Sequence, residues 1–280
     1  MKFGVNTLIW SGAFEPEKYP FDALKEVGVD GIEIPVFVPS ELDAAAVRRT
    51  CERQGLNVHF CSVNPDGMNP ISDDAGVRAR TVEHWKSVIR TAAEAGADQI
   101  AGPTHSPVGY LPGRRRNDDE WKWGVEFHQA LHDDLADAGV TMAVEPLNRF
   151  ETYFLNTAAD SVRFVEEIGS DRIGILLDTF HQNIEDKDVA DAYRTCGRHL
   201  MHVHTCENDR GTPGSGHVDW PGVLSAIKEV GYDRWLTIES FNAHIPELSA
   251  ATAIWRDLAD SMDDIAIDGT RFLRDLWART

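Results

Sequence analysis

The chain has 280 residues, and its 46 Asp and Glu against 27 Lys and Arg leave a formal net charge of -19. With 42% hydrophobic and 26% charged residues, the composition is that of a globular protein and excludes a disordered one. The negative charge argues against nucleic acid and anionic membranes as partners, because both attract basic surfaces.

The sequence contains no recognisable membrane-spanning segment or targeting signal. No run of about 18 apolar residues is long enough to span a membrane. The N-terminal segment MKFGVNTLIW lacks the long apolar region and the cleavage site of a signal peptide. The four cysteines form no C-x-x-C pair, so we expect reduced thiols. We therefore expect a cytoplasmic protein.

One local pattern returns along the chain: a helical stretch ends in Gly, and a short apolar, β-rich run follows at once. Glycine suits these positions because the residue after a helix often adopts a left-handed conformation. The glycines are Gly28, Gly55, Gly96, Gly139, Gly169 and Gly231. Two further runs, Lys2–Leu8 and His199–Thr205, lack the glycine. The pattern predicts eight strands that begin near Lys2, Asp30, Leu56, Ala97, Val140, Arg172, His199 and Arg234.

The segments between these runs predict helices, and the alternation predicts a (β/α)8 TIM barrel of parallel strands. The helical windows are Asp74–Ala95, Asn117–Ala138, Thr157–Ile168 and Pro221–Val230. A doubly wound open sheet is the alternative, but no Gly-rich phosphate turn follows the first strand. We expect residues 1–280 to form a single domain. Its tail, 246–278, is predicted as a helical segment with a break near Asp268-Gly269.

Metal-binding residue types stand where the predicted strands end. Glu33 ends the second strand, and the last four strands end in Glu145, Asp178, His204 and Glu239. Catalytic groups of such barrels lie at this end of the strands, and neighbouring strands are about 4.8 Å apart. Because three unpaired carboxylates would repel one another, the set predicts a divalent cation. Carboxylates with one imidazole suit Mn²⁺, Co²⁺ or Mg²⁺ better than a thiolate-type zinc site.

Each of these residues, taken alone, also has a structural interpretation. An acid after a strand is commonly a helix cap or part of a surface ion pair, and a histidine on a strand is commonly a packed core residue. His202 and His204 share one face of their strand. We assign His204, nearer the strand end, to the metal site and His202 to the filling of the barrel.

Four segments, in this order, resemble the ketose 3-epimerases of the xylose isomerase-like barrel superfamily. This group includes D-tagatose 3-epimerases and D-allulose (psicose) 3-epimerases. The segments are Glu145-Pro-Leu-Asn-Arg-Phe-Glu151, Leu177-Asp-Thr-Phe-His-Gln-Asn-Ile-Glu185, His202-Val-His-Thr-Cys-Glu-Asn-Asp-Arg210 and Thr237-Ile-Glu-Ser-Phe241. The strong similarity covers about Val140 to Phe241, and the N-terminal half agrees in pattern only.

The resemblance implies roles for seven residues and a homodimer or homotetramer. The metal, typically Mn²⁺ or Co²⁺, would be bound by Glu145, Asp178, His204 and Glu239. Glu145 and Glu239 would also be the acid/base pair that inverts C3 of a free ketose through a cis-enediolate. Glu151, His181 and Arg210 would bind the sugar. As alternatives, Arg210 could pair with Glu207 or Asp209, and His181 could cap the following helix. We also expect Trp10 and Tyr110 at the mouth of the site.

Three other functions remain open at this point. The same metal chemistry serves an aldose–ketose isomerase, a hydroxypyruvate-type isomerase or an inosose-type dehydratase, although Glu151, His181 and Arg210 favour the epimerases. Phosphodiester cleavage, known on this barrel, is disfavoured by the charge of -19. A non-catalytic sugar-binding barrel is disfavoured by the presence of both Glu145 and Glu239.

Overall fold

The computed structural model describes residues 1–280 and contains a closed barrel of eight parallel strands. Each strand pairs with the next one in the chain, and β8 pairs with β1 to close the barrel. The strands are β1 Lys2–Asn6, β2 Gly31–Pro35, β3 Asn57–Cys61, β4 Gln99–Gly102, β5 Thr141–Val144, β6 Ile173–Asp178, β7 Leu200–His204 and β8 Trp235–Ile238. The predicted (β/α)8 barrel is therefore confirmed, and each strand begins within two residues of its predicted start.

Helices connect the strands and form the outer layer. They are α1 Phe21–Glu26, α2 Ala44–Gln54, α3 Ala75–Ala95, α4 Asp118–Gln129, α5 His132–Ala138, α6 Ala158–Ile168, α7 Thr179–Glu185, α8 Val189–Cys196, α9 Trp220–Glu229, α10 Pro246–Thr252 and α11 Met262–Arg279. All six glycines of the repeating pattern have positive φ angles, as the pattern predicts. The N-terminus of α4 carries a capping box, in which Asn117 and Glu120 each accept a hydrogen bond from the other's backbone N–H.

Two predicted helices differ from the structure. The window 117–138 is divided into α4 and α5. In the tail, the break lies at 253–261, where Ala253 ends α10 with a φ of 54°. Helix α11 instead continues through Asp268 and Gly269. Gly269 is there for close packing, since a Cβ at this position would lie 2.7 Å from Pro213 Cδ. The tail prediction was wrong on the break because a glycine that admits a neighbour looks the same in sequence as one that ends a helix.

The core lies between the barrel and the helices and is built mainly from apolar side chains, among them Trp85, Phe60 and Phe164. All four cysteines are buried and unpaired. No helix combines the length and the apolar character needed to cross a bilayer. Several polar residues lie at the carboxyl ends of the strands, where β6 pairs Asp178 with His204 of β7. The barrel thus brings these polar side chains to one end of the molecule.

Candidate active site

The last four strands deliver four metal-binding side chains to one point. Asp178 and His204 are the final residues of β6 and β7, and Glu145 and Glu239 follow β5 and β8 directly. One ligand atom from each lies within 4.8 Å of the others, and all four residues are buried. The structure thus brings together the four residues that the strand-end argument selected. We call them the four-ligand group.

The donor atoms of this group fit a divalent cation. His204 Nδ1 lies 3.4 Å from Glu239 Oε1 and 3.8 Å from Glu145 Oε1. Both His204 Nδ1 and Glu145 Oε1 are buried without a hydrogen-bond partner. Since buried polar atoms are nearly always paired, two orphaned polar atoms facing a shared centre indicate a ligand between them. Three carboxylates and one imidazole are donors suited to Mn²⁺, Co²⁺ or Mg²⁺.

The three carboxylates of the group have different proton affinities. Burial raises the pKa of Glu145 well above its usual range, and the charges of Glu239 and Asp178 add to this. Burial likewise raises the pKa of Asp178 to about 6, with Arg210 opposing the shift. Burial acts on Glu239 too, but His204 and Arg210 more than offset it, so the pKa of Glu239 is lowered. A cation in the group would favour the ionised form of all three.

Arg210 lies in the same cluster, and two aromatic rings fix its guanidinium. Its Nη1 is 2.8 Å from Glu239 Oε2 and 3.6 Å from Asp178 Oδ2. The guanidinium lies 4.2 Å from the ring centroid of Phe180 and 4.7 Å from that of Phe241. Arg210 itself has a φ of 67°, which is unfavourable for a residue with a Cβ. The hydroxyl of Ser240 donates to its carbonyl oxygen at 2.6 Å and helps to hold this turn.

The alternative ion pairs for Arg210 are not formed. Glu207 instead accepts hydrogen bonds from the backbone N–H groups of Gly214 and Val218 and from Trp220 Nε1. Asp209 pairs with Arg256 at 2.6 Å. Glu207 therefore organises the glycine-rich loop that follows Arg210, and the arginine is free to face the cluster.

His181 and Glu151 are linked through Asn148, a residue to which the sequence argument gave no role. His181 Nδ1 accepts a hydrogen bond from the backbone N–H of Asn148 at 3.0 Å, and its Nε2 lies 3.1 Å from Arg210 Nη2. This Nε2 lies 3.6 Å from Glu145 Oε1. Burial, together with the charge of Arg210, lowers the pKa of His181 well below its usual range, so the ring is neutral. The Asn148 amide donates to Glu151 Oε1 at 2.8 Å.

Helix α7 is capped by Asp178, whose Oδ1 accepts from the backbone N–H of Phe180 at 2.8 Å, and not by His181. The only sequence signal for Asn148 was its place between Glu145 and Glu151 in one of the quoted segments. Polar residues inside such a loop are close enough to the site residues on either side to orient their side chains.

A cavity of about 320 Å³ opens above the cluster. Its polar base contains Glu145, Glu151, His181, Arg210 and Glu239. Its walls are largely apolar and include Leu8, Phe37, Val63, Val108, Leu147, Phe241, Leu248 and Ala251. The cavity thus combines a few charged groups with a largely apolar wall, as expected for a site that binds a small molecule.

The two aromatic residues expected at the mouth do not line this cavity. Trp10 is buried, and its Nε1 donates to Asp263 at 2.6 Å. Tyr110 is exposed and packs edge-on against Tyr153. Leu8 and Val108, two residues earlier in each loop, take their places in the wall.

A second cavity, of about 460 Å³, lies at the opposite end of the barrel. It is lined by residues at the strand starts, including Lys2, Gln99 and Trp235. It contains none of the four-ligand group, and barrels of this type place their chemistry at the other end.

Glu33 lies directly beneath the four-ligand group. Its Oε1 accepts hydrogen bonds from Asn6 Nδ2 at 2.8 Å and from His204 Nε2 at 2.9 Å. Its Oε2 lies 2.9 Å from His202 Nε2. Burial opposes ionisation of Glu33, but His204 and His202 outweigh it and bring its pKa well below the usual range. The prediction that Glu33 ends the second strand was wrong, because Glu33 is the middle residue of β2, Gly31–Pro35. No role was assigned to it from the sequence, and a single charge in an otherwise apolar strand was the available signal.

Residues 21–274 match the family described as the xylose isomerase-like TIM barrel. The chain is 36% identical over 275 residues to a probable ketose 3-epimerase of Synechocystis, covering 98% of this chain and 96% of that protein. It is 33% identical to an L-ribulose 3-epimerase of Mesorhizobium japonicum, covering 93% and 89%. A crystal structure of D-allulose 3-epimerase from Methylomonas sp. in complex with D-allulose superposes with a TM-score of 0.92 at 28% identity, covering 98% and 96%. The family match covers β2 to β8, and the two relatives and the crystal structure cover 93–98% of the chain.

Proposed function

The chain belongs to the ketose 3-epimerases of the xylose isomerase-like TIM barrel family, and on this premise we propose that it inverts C3 of a free ketose with a bound divalent cation. The cation, Mn²⁺ or Co²⁺ with Mg²⁺ as a further candidate, is held by Glu145, Asp178, His204 and Glu239. The observation that carries this proposal is the four-ligand group itself, with two buried polar atoms that have no hydrogen-bond partner.

The proposed reaction is a proton transfer at C3. This proton is acidic only when the neighbouring carbonyl is polarised, and a bound divalent cation supplies that Lewis-acid polarisation. Strands β6 and β7 separate Glu145 from Glu239 around the barrel, so the two carboxylates approach the substrate from different sides. One glutamate takes the proton from C3, and the other donates a proton to the opposite face. C3 is inverted while the carbonyl stays at C2.

Three further residues bind and orient the sugar in this proposal. Arg210 and His181 line the cavity, and in the proposed complex they donate hydrogen bonds where negative charge develops on the substrate oxygens. The rings of Phe180 and Phe241 hold the arginine plane in place. Glu151 is fixed by Asn148 and accepts from a sugar hydroxyl.

The charge of the cavity supports a free sugar over a sugar phosphate. Arg210 is the only Lys or Arg among the residues that line it. Its guanidinium is already paired with Glu239 and faces Asp178. A phosphate needs several donors or cationic groups, whereas the lining beyond the cluster is apolar apart from Thr252 and the acidic Glu247.

The proposal also covers the domain organisation, the cellular location and the oligomeric state of the protein. Residues 1–280 act as one domain, in the cytoplasm, as a homodimer or homotetramer. Large apolar side chains at the surface support the assembly: Phe150 is 71% exposed and Trp255 is 75% exposed. Exposed aromatic residues of this kind are enriched at protein interfaces.

The test is incubation with D-fructose, D-tagatose, L-ribulose and D-xylulose in the presence of Mn²⁺, with the products separated by chromatography. The expected product of each accepted sugar is its C3 epimer. Formation of an aldose, or loss of water, would instead assign the chain to an isomerase or dehydratase reaction and refute the proposal.

A further inference from the structure

We propose that Glu33 is a positioning residue that fixes the orientation and the tautomer of His204, so that His204 Nδ1 faces the cation. This inference rests on the proposed metal site and adds a residue beyond the four ligands. The imidazole of His204 lies between two carboxylates. Its Nε2 is 2.9 Å from Glu33 Oε1, and its Nδ1 is 3.4 Å from Glu239 Oε1. The ring therefore faces Glu33 through Nε2 and the four-ligand group through Nδ1.

The position of the proton on the His204 ring follows from the hydrogen-bonding capacity of Glu33. An ionised carboxylate only accepts hydrogen bonds, so the ring nitrogen that faces it carries a proton. With the proton on Nε2, the Nδ1 lone pair is available to a metal. Histidines that bind metals commonly donate their second N–H to a carboxylate, which fixes the tautomer and makes the ring a stronger ligand.

Glu33 is itself held from three sides. Asn6 Oδ1 accepts from the backbone N–H of Leu8 at 3.0 Å, which directs its Nδ2 toward Glu33 Oε1 at 2.8 Å. His202 Nε2 lies 2.9 Å from the second oxygen, Oε2, as a close contact without hydrogen-bond alignment. His202 therefore lies beside the oxygen that His204 does not contact. Three neighbours from β1 and β7 thus surround the two carboxylate oxygens.

A contribution to folding stability does not explain why a glutamate occupies position 33. Glu33 is completely buried, and burying a charge costs free energy that its partners only partly return. Apolar side chains of similar volume often serve such positions equally well or better. The interior end of β2 is otherwise apolar, with Ile32 and Ile34 completely buried on either side. A carboxylate at this position is best explained by what it does to His204.

The test compares Mn²⁺ binding of Glu33→Gln with that of the wild type. A glutamine keeps the volume but can direct an N–H at His204 Nε2, which would move the ring proton to Nδ1. We expect the Mn²⁺ dissociation constant, measured by calorimetry on metal-free protein, to rise about 10- to 100-fold. At saturating Mn²⁺, the nitrogen modulation in the electron spin echo that reports a coordinated imidazole should weaken. Glu120→Gln is the matched control.

Glu120 is also a buried carboxylate that accepts several hydrogen bonds, from Arg114, Tyr153 and the backbone of Asn117, but it contacts none of the four ligands. Glu120→Gln should lower the metal-free unfolding temperature while the Mn²⁺ affinity stays at the wild-type value. A purely structural role for Glu33 predicts that same outcome for Glu33→Gln, and wild-type affinity with unchanged nitrogen modulation would overturn the inference.

A second variant decides the question if Glu33→Gln does not fold. His202→Leu leaves Glu33 and His204 in place but frees Oε2, so a smaller loss of Mn²⁺ affinity is expected, and unchanged affinity would count against the inference. The outcome is separable from the proposed function. Failure of the wild type to bind Mn²⁺ would refute the metal site itself, whereas wild-type binding with no effect of either variant would refute only the role of Glu33.

Discussion

Replacing either proposed base by glutamine should separate proton exchange from epimerisation. Glu239→Gln keeps the size of the side chain and one oxygen for the cation, and Arg210, now 2.8 Å from Oε2, keeps a neutral acceptor. The amide cannot accept the C3 proton. Glu145→Gln makes the equivalent change on the other side of the cavity.

The expected loss of catalytic rate follows from the role of each glutamate as an acid or base. A positioned acid or base contributes about 10²- to 10⁴-fold to the rate, which corresponds to roughly 3–5 kcal/mol of activation free energy. We expect kcat for epimerisation to fall by this factor in both variants. Metal affinity should fall much less, because three of the four ligands remain unchanged and the amide oxygen replaces the fourth.

The assay is deuterium exchange at C3 in D₂O, followed by NMR of both epimers. Each variant retains one base, so it should exchange the C3 proton of the one epimer whose C–H faces that base, without converting it. The two variants should select opposite epimers. The wild type should place deuterium at C3 of the product.

Asp178→Asn is the matched control. It also removes one negative charge from the four-ligand group, but Asp178 has no assigned proton transfer. The rate of deuterium exchange at C3 in the Asp178→Asn variant should fall equally for both epimers. If Glu145→Gln and Glu239→Gln exchange the same epimer, or if the wild type converts a ketose while C3 keeps its protium, the two-base assignment is wrong even where the metal site is right.

Three further predictions concern the metal, the assembly and the stability. Chelation should abolish activity, and Mn²⁺ or Co²⁺ should restore it; full activity in metal-free protein would contradict this. A metal concentration of about 100 times the dissociation constant should add roughly 2.7 kcal/mol to the free energy of unfolding. Light scattering at micromolar concentration should give a dimer or tetramer, and a monomer would refute the proposed assembly. Burial lowers the pKa of His128 from 6.5 to about 4, so its contribution to stability is complete above pH 6.5 and is lost as the pH falls. Between pH 6.5 and 5 this should cost about 1–2 kcal/mol, and chemical denaturation of His128→Leu should show a correspondingly shallower decline.

The repeating pattern of the sequence was sufficient to predict the barrel. A parallel strand buried on both faces must be apolar, and the helix before it often ends in a left-handed glycine such as Gly55 or Gly139. These requirements are local, so they can be read without knowing which segments are neighbours. The four strand-end ligands followed from the same logic, because a parallel barrel places all strand ends at one end.

Contacts between distant segments were decided only by the tertiary structure. Glu33 and His204 are 171 residues apart and meet at 2.9 Å, which no local pattern indicates. The partners of Arg210 likewise depend on a left-handed turn and on two aromatic rings from separate strand ends. In the walls of the cavity, Leu8 replaced the expected Trp10 because the turn after β1 directs the tryptophan toward Asp263 of α11.

Periodicity along the chain thus determined which residues lie at the active end of the barrel, since strand direction and the alternation of side chains are properties of the backbone itself. It did not determine which atoms face one another there. That depends on side-chain rotamers, loop turns and the packing of residues far apart in sequence, and the break in the tail at 253–261 was missed for the same reason. A buried charge such as Glu33 finds its partners only when the barrel closes.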